Sequence, residues 1–396
     1  MKIGVDLRCL QGHSKYRGIG KYVMHTISEM AKIDIKNNYV FYIFENENSP
    51  INSLGLPSNF KYEIKRVTKN KKNNMKHIGI LFDEFVAVKV KEDFLDVFFQ
   101  PDISYGIPKG VKVVSTFHDL IPYYFWKKPG IKNNEGVKLL KIKMADQILK
   151  RKYINSLKKY KLADSIIAIS DSSRNDFIKY FGTEYKSKIK VVYDGVNCIN
   201  SKNINTTNKI GNYILYVGGV DIRKNIVGLA KTFFSLKSDT KYEKLKLVLV
   251  GKEFDNKQEL NDIGWFDTIK KSKYRNDIVI TGYLDDDKLL SIYKNAKAFV
   301  FPSLYEGFGL PVLEAMNMGA PVVAFNNSSI PEVAGDAAIL CDNQDEFESG
   351  LKKLLEDEKF RQSLIEKGYR QVKKFSWQKT AKETLKVIED LGKEKG

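Results

Sequence analysis

Short apolar runs alternate with longer stretches of helical period along most of this 396-residue chain, a pattern that few architectures other than parallel βαβ units can absorb. Predicted strands run from Lys2 to Asp6, Tyr39 to Phe44, Lys61 to Val67, Asp96 to Phe99, Lys112 to Thr116, Ser165 to Ile169 and Lys190 to Val192. Between them, Ile19 to Lys32, His77 to Lys91, Glu135 to Tyr160 and Ser172 to Tyr180 have helical spacing. Residues 197–212 are polar and aperiodic, as an interdomain linker would be. Beyond them the alternation restarts, with strands predicted from Tyr213 to Val217, Leu245 to Val250, Ile278 to Thr281, Ala298 to Phe301, Pro321 to Ala324 and Ala338 to Leu340. Helices are predicted from Asn225 to Leu236, Asp286 to Asn295, Pro311 to Met318, Gln344 to Lys367 with a break, and Trp377 to Leu391. The expected fold is α/β, with two Rossmann-like doubly wound domains, 1–196 and 213–375, facing each other across a cleft, and a final helix in 376–396. Ligands of such sheets bind in the loops that follow the carboxyl ends of the strands, so the functional residues are sought there.

Composition narrows the class of function. An apolar fraction of 43% with 12% aromatic residues excludes a disordered or collagen-like chain. Cys9, Cys198 and Cys341 fall in no CxxC or Cys/His spacing, which argues against a zinc site and for a reduced, cytoplasmic compartment. The start has no basic-apolar-small leader pattern, and no run of about 18 apolar residues follows. The formal charge of +18 is unevenly spread: residues 300–396 carry 13 basic against 16 acidic groups, residues 61–76 seven against one, and residues 127–161 twelve against two. Such a charge invites nucleic-acid binding, but no DNA- or RNA-binding module accompanies it, so no specific nucleic-acid partner is expected. In the predicted helix from Glu135 to Tyr160, a stripe of Leu139, Leu140, Ile142, Met144, Ile148 and Leu149 lies among lysines. It suits an anionic membrane surface and a domain core equally well.

The most informative segment is PSLYEGFGLPVLEAM, from Pro302 to Met316, which follows the apolar run AFVF and leads into a helix. Gly307 and Gly309 let backbone amides approach a ligand, and Pro311 fits a first helical turn because its missing N–H has no partner there anyway. The helix would turn its positive end toward an anion, while Glu306 accepts hydrogen bonds from hydroxyls. Glu306 and Glu314 stand eight apart. Two features carry less chemistry. Asp285, Asp286 and Asp287 precede a helical run, where acids cap an N-terminus, so they are read as a cap and not as a metal site. His13, His25 and His77 have no partner pattern.

Taken whole, the chain resembles the family-4 retaining glycosyltransferases of the GT-B fold, in which an E-x7-E motif occupies this strand-loop-helix context. Gly18 to Tyr22 (GIGKY) resembles the family's glycine-rich loop, and Phe117 to Pro122 (FHDLIP) its HD-type segment; SIIAISDSS, VYDGVN, YVGGVDIRKN, TGYLDDDKLLSIYKNA and NNSSIPEVAGDAA follow in the family's order. The resemblance implies that Glu306 binds donor-sugar hydroxyls and Glu314 the ribose, with Gly307, Phe308, Gly309 and Leu310 presenting the loop's backbone to sugar and phosphate. Arg223 and Lys224 would neutralise the departing diphosphate without a metal, and Gly18, Gly20 and Gly219 would line the donor site. His118 would reach the transferred sugar, with Asp119 orienting its loop. The commoner family pattern has an arginine directly after the strand's glycine; this chain has Gly218-Gly219, and Arg223 is the candidate replacement.

The expected partners are a nucleotide-sugar donor, a glycan or lipid-linked acceptor and an anionic membrane surface, with no separate cofactor. The final helix is expected to return to the first domain. Within the family the motif set resembles bacterial O-antigen and capsule mannosyltransferases using GDP-mannose, with rhamnosyl, glucosyl or N-acetylhexosaminyl transfer from dTDP- or UDP-sugars as alternatives. A nucleotide-sugar epimerase of the same fold would lack the E-x7-E context.

Overall fold

The computed structural model describes residues 1–12, 15, 18–45, 47–68, 90, 92–103, 106–125, 151, 154–197, 199 and 210–394. Among these the chain divides into two units: Met1–Gly195 together with Trp377–Gly396, and Val196–Ser376. The predicted helix from His77, most of the helix from Glu135, most of the polar tract 197–212 and Cys198 lie outside the described residues.

The first unit is built on a parallel sheet of β1 (Lys2–Asp6), β2 (Asn38–Phe44), β3 (Tyr62–Val67), β4 (Val97–Gln100), β5 (Lys112–Phe117), β6 (Ser165–Ala168) and β7 (Ile189–Val191). Their order is β3-β2-β1-β4-β5-β6-β7. The central strands are buried on both faces, which is why β1, β4 and β5 read as nearly unbroken apolar runs. Helix α1 (Gly18–Ile33) lays Tyr22, Val23, Ile27 and Met30 into the core at helical spacing. The short α2 (Ile121–Tyr124) and the longer α3 (Asp171–Phe181) follow β5 and β6, and Ser170 caps α3 by accepting from Ser173 N at 2.9 Å.

The second unit holds β8 (Tyr213–Val217), β9 (Lys246–Val250), β10 (Ile278–Gly282), β11 (Ala298–Phe301), β12 (Val322–Phe325) and β13 (Ala338–Cys341), all parallel, in the order β10-β9-β8-β11-β12-β13. Helices α4 (Ile226–Lys237), α5 (Lys257–Asp262), α6 (Trp265–Lys270), α7 (Asp286–Asn295), α8 (Leu310–Asn317), α9 (Ile330–Ala334), α10 (Gln344–Glu356) and α11 (Glu358–Val372) connect and cover these strands. Asp285 caps α7 by accepting from Lys288 N at 2.9 Å, the local role expected of the acidic triplet. Strand order reverses at β8 and β11, which pair in register from Ile214 and Ala298. The loops leaving this pair therefore flank the crevice where sheets of this kind bind ligands.

Helix α12 (Trp377–Lys393) belongs to the first unit. It buries Trp377, Ala381, Ile388 and Leu391. Trp377 stacks on His25 of α1 at 4.9 Å between ring centroids, and Thr380 donates to the Tyr193 carbonyl at 2.7 Å.

Candidate functional site

The loop from Pro302 to Gly309 carries the chain from β11 into α8. Gly309 turns it at φ +110°, and a side chain there would also press on Ile330 Cδ1, so both the left-handed backbone and the packing require glycine. Pro311 sits in the first turn of α8 as its fixed φ favours. Phe308 and Leu310 turn their side chains inward, the former edge-on to Phe375.

Two neighbouring loops hold this segment. From one side, Leu304 N donates to the Arg223 carbonyl at 2.7 Å and Arg223 Nη1 donates to the Tyr305 carbonyl at 3.1 Å. From the other, Asn327 Nδ2 donates to the Ser303 carbonyl, Glu306 N donates to Ser328 Oγ at 2.9 Å, and Ser329 Oγ donates to the carbonyls of Glu306 and Phe308. Ser328 adopts φ +48°, a backbone conformation that brings its hydroxyl under the loop.

Arg223 and Lys224 lie in a single 3-10 turn after β8, ended by Asn225 in the left-handed region, a conformation asparagine tolerates better than most residues. That turn aims both cations at Glu306. Lys224 Nζ lies 2.6 Å and Arg223 Nη1 2.7 Å from the same oxygen, Glu306 Oε1, and the three side chains are 9, 13 and 10% exposed respectively. Asp221 adds a more exposed contact to Arg223 Nε at 3.1 Å, and Lys224 also stands 5.1 Å from the centre of the Phe301 ring. Burial by itself would raise the Glu306 carboxyl, but the two cations outweigh it and hold the group below the ordinary glutamate range.

A carboxyl depressed in the folded state contributes stability that is complete above its unfolded pKa and is lost as pH falls through the folded value. As pH falls below the ordinary glutamate value of about 4.5, the unfolding temperature is expected to fall more steeply for the unaltered chain than for Glu306→Gln, which has no charge to lose. Parallel melting curves against pH test this, and equal slopes would refute it.

Glu314 projects from α8, where Tyr293 of α7 donates to its Oε2 at 3.1 Å. Gly219 lies at the mouth of β8, its carbonyl accepting from Tyr216 Oη at 2.6 Å. The second unit thus gathers Glu306, Arg223, Lys224, Gly219, Gly307 to Leu310 and Glu314 around the ends of β8 and β11. Asn327, Ser328, Ser329 and Tyr293 hold the glutamates and their loop, a role that the motifs do not assign.

In the first unit, His118 follows β5. Its Nε2 lies 2.8 Å from the Pro101 carbonyl, which can only accept, so that nitrogen carries the proton; the ring meets Tyr22 edge-on. Asp119 Oδ1 accepts from Ile121 N, tying down the loop. Gly18 and Gly20 lie in the first turn of α1, which begins one residue before the predicted start at Ile19. Gly20 is buried there.

Two family descriptions match consecutive stretches, "Glycosyltransferase Family 4" over residues 98–199 and "Glycosyl transferases group 1" over residues 199–371. Together the two matches span residues 98–371, and both describe glycosyltransferases. The chain is 35% identical over 181 residues to the O-antigen chain mannosyltransferase B of Escherichia coli, a match covering 45% of the chain and 46% of the relative. It is 30% identical over 286 residues to the serotype-specific mannosyltransferase WbdA of the same species, covering 68% of the chain and 32% of the relative. The chain therefore spans less than half the length of these curated relatives. Among solved structures, the sucrose-phosphate synthase from Thermosynechococcus elongatus superposes with a TM-score of 0.70 at 17% identity, covering 99% of both chains. The fold is GT-B.

Proposed function

We propose that this chain transfers a hexose, mannose from GDP-mannose, to a glycan or lipid-linked acceptor in bacterial surface polysaccharide synthesis, with retention of configuration and without a metal. The observation that carries the reading is the convergence of Lys224 and Arg223 on Glu306 beside the start of α8. A departing nucleoside diphosphate needs positive charge positioned before the bond breaks, and two nearly buried cations beside a helix N-terminus supply it in a medium where charges act strongly. Glu306 then turns from counter-ion to acceptor for the sugar hydroxyls, and Glu314, steadied by Tyr293, accepts from the ribose.

Front-face departure, in which the donor's own phosphate takes up the acceptor proton, explains retention without a carboxylate nucleophile. His118 serves the transferred sugar through the nitrogen that Pro101 leaves unused. The names of the E. coli relatives support mannose as the sugar. The excess of basic groups before residue 300 supports docking at an anionic membrane surface on the cytoplasmic side; among the described residues no helix is long and apolar enough to cross a membrane.

A thermal-shift panel of GDP, UDP and dTDP tests the donor. At a hundredfold excess over Kd, GDP is expected to stabilise by about 2.7 kcal/mol. Selective stabilisation by UDP or dTDP would move the assignment to glucosyl, N-acetylhexosaminyl or rhamnosyl transfer. No stabilisation by any nucleoside diphosphate would overturn the reading.

A further inference from the structure

We infer that Glu253 selects the donor's base, taking the N1–H and N2–H2 edge of guanine with its two carboxylate oxygens. The inference rests on the function proposed above and deepens it, because it names the residue that would separate GDP from the pyrimidine diphosphates.

At Gly219 the commoner family pattern has an arginine side chain. That space is not vacant. A Cβ built on Gly219 would run into Glu253 Oε2 and lie 3.1 Å from its Cδ. Glu253 follows β9, the strand beside β8, and the two strand ends are in close backbone approach: a side chain at Gly251 would strike the Gly218 carbonyl. The carboxylate therefore leans across the mouth of β8, one strand spacing (about 4.8 Å) from its own strand. It is half-buried, and among the described residues no group donates a hydrogen bond to it or pairs with its charge.

A carboxylate next to a diphosphate site repels the ligand unless it meets a part that donates hydrogen bonds. With the diphosphate held between Arg223, Lys224 and the start of α8, the nucleoside must extend to one side of the β8/β11 pair. On the β12 side, the loop carrying Asn327, Ser328 and Ser329 is already bonded to residues 303–308. On the other side lie β9 and its uncommitted carboxylate, and Tyr293, which holds Glu314, stands on the helix that follows β10. Glu306 and Glu314 account for the sugar and the ribose, which leaves the base for Glu253.

Among the bases of common sugar donors, guanine is the one whose edge offers two adjacent N–H donors in parallel, the arrangement that a carboxylate accepts with both oxygens. Uracil and thymine offer a single N–H flanked by carbonyl oxygens, which a carboxylate repels.

Affinities of the full chain and of Glu253→Gln for GDP, IDP and UDP test the assignment, since IDP lacks only the 2-amino group. The unaltered chain is expected to prefer GDP over IDP by about tenfold or more, and Glu253→Gln to reduce that preference to about twofold while binding UDP no more weakly than before. An unchanged GDP:IDP ratio in the variant, or equal weakening of all three ligands, overturns the base assignment alone. Failure of the unaltered chain to bind any of the three overturns the proposed function, and with it this inference.

Discussion

Glu306→Ala is expected to bind a nucleoside diphosphate at least as tightly as the unaltered chain while transferring sugar about a thousandfold more slowly. The two effects separate because, in the function proposed above, Glu306 has two partners at different stages. Without ligand its Oε1 is shared by Lys224 and Arg223 at 2.6 and 2.7 Å, so an incoming diphosphate competes with it for both cations. Alanine removes the competitor, and the product nucleotide, which has no sugar, loses nothing. In transfer the sugar loses a hydrogen-bond acceptor that strengthens as positive charge develops on the ring, and a thousandfold corresponds to about 4 kcal/mol of barrier. Lys224→Ala gives the contrasting pattern, with weaker nucleotide binding and slower transfer together. Titration calorimetry with GDP beside initial rates of transfer reads both quantities. Loss of GDP affinity in Glu306→Ala, or near-normal turnover in either variant, would remove the charge-exchange account.

Asp6→Ala is expected to produce the largest loss of stability away from the site, about 3–5 kcal/mol, with a fall in melting temperature on the order of 10 °C. Asp6 ends β1 and Arg8 opens the next turn, both essentially without solvent contact, at 1 and 2% exposure. Arg8 gives Asp6 two side-chain bonds, Nε to Oδ1 at 2.9 Å and Nη2 to Oδ2 at 2.7 Å, and Gln100 adds a third at 2.9 Å. Removing the carboxylate takes both of these bonds from the guanidinium in a medium that solvates it poorly. Replacing both charged residues by leucine, which abandons the ion pair altogether, is expected to recover much of the loss, since a buried pair returns little beyond its desolvation. Urea unfolding of the single and double variants decides between this and a purely local role for Asp6. In the latter case the double variant would be no better than the single.

The legible and illegible parts of the fold differ by the range of the interactions that define them. Strands such as β8 and β11 and helix α7 were readable to within a residue because each is specified by its own run of side chains. Helices α5 and α6 were not, since six residues on either side of Gly264 at φ +76° are too few to establish a period. The glycines at 18 and 20 carry the composition of a loop, yet they open α1. At the site the E-x7-E string was readable because it is contiguous. Its supports were not: Lys224 meets a carboxylate 82 residues away, Ser328 a backbone amide 22 away and Tyr293 a carboxylate 21 away. No local pattern records these distances.

The return of α12 to the first unit also bears on the order of folding. Residues 196–376 form one uninterrupted unit, whereas the unit containing Met1 includes Trp377 and Ile388 among its buried residues. Domains generally fold as they emerge during synthesis, the N-terminal one first. Here the order of completion is inverted. The second unit can close its core while the earlier-made one still lacks the helix that packs on α1, so His25 waits for Trp377 until the intervening unit has been made.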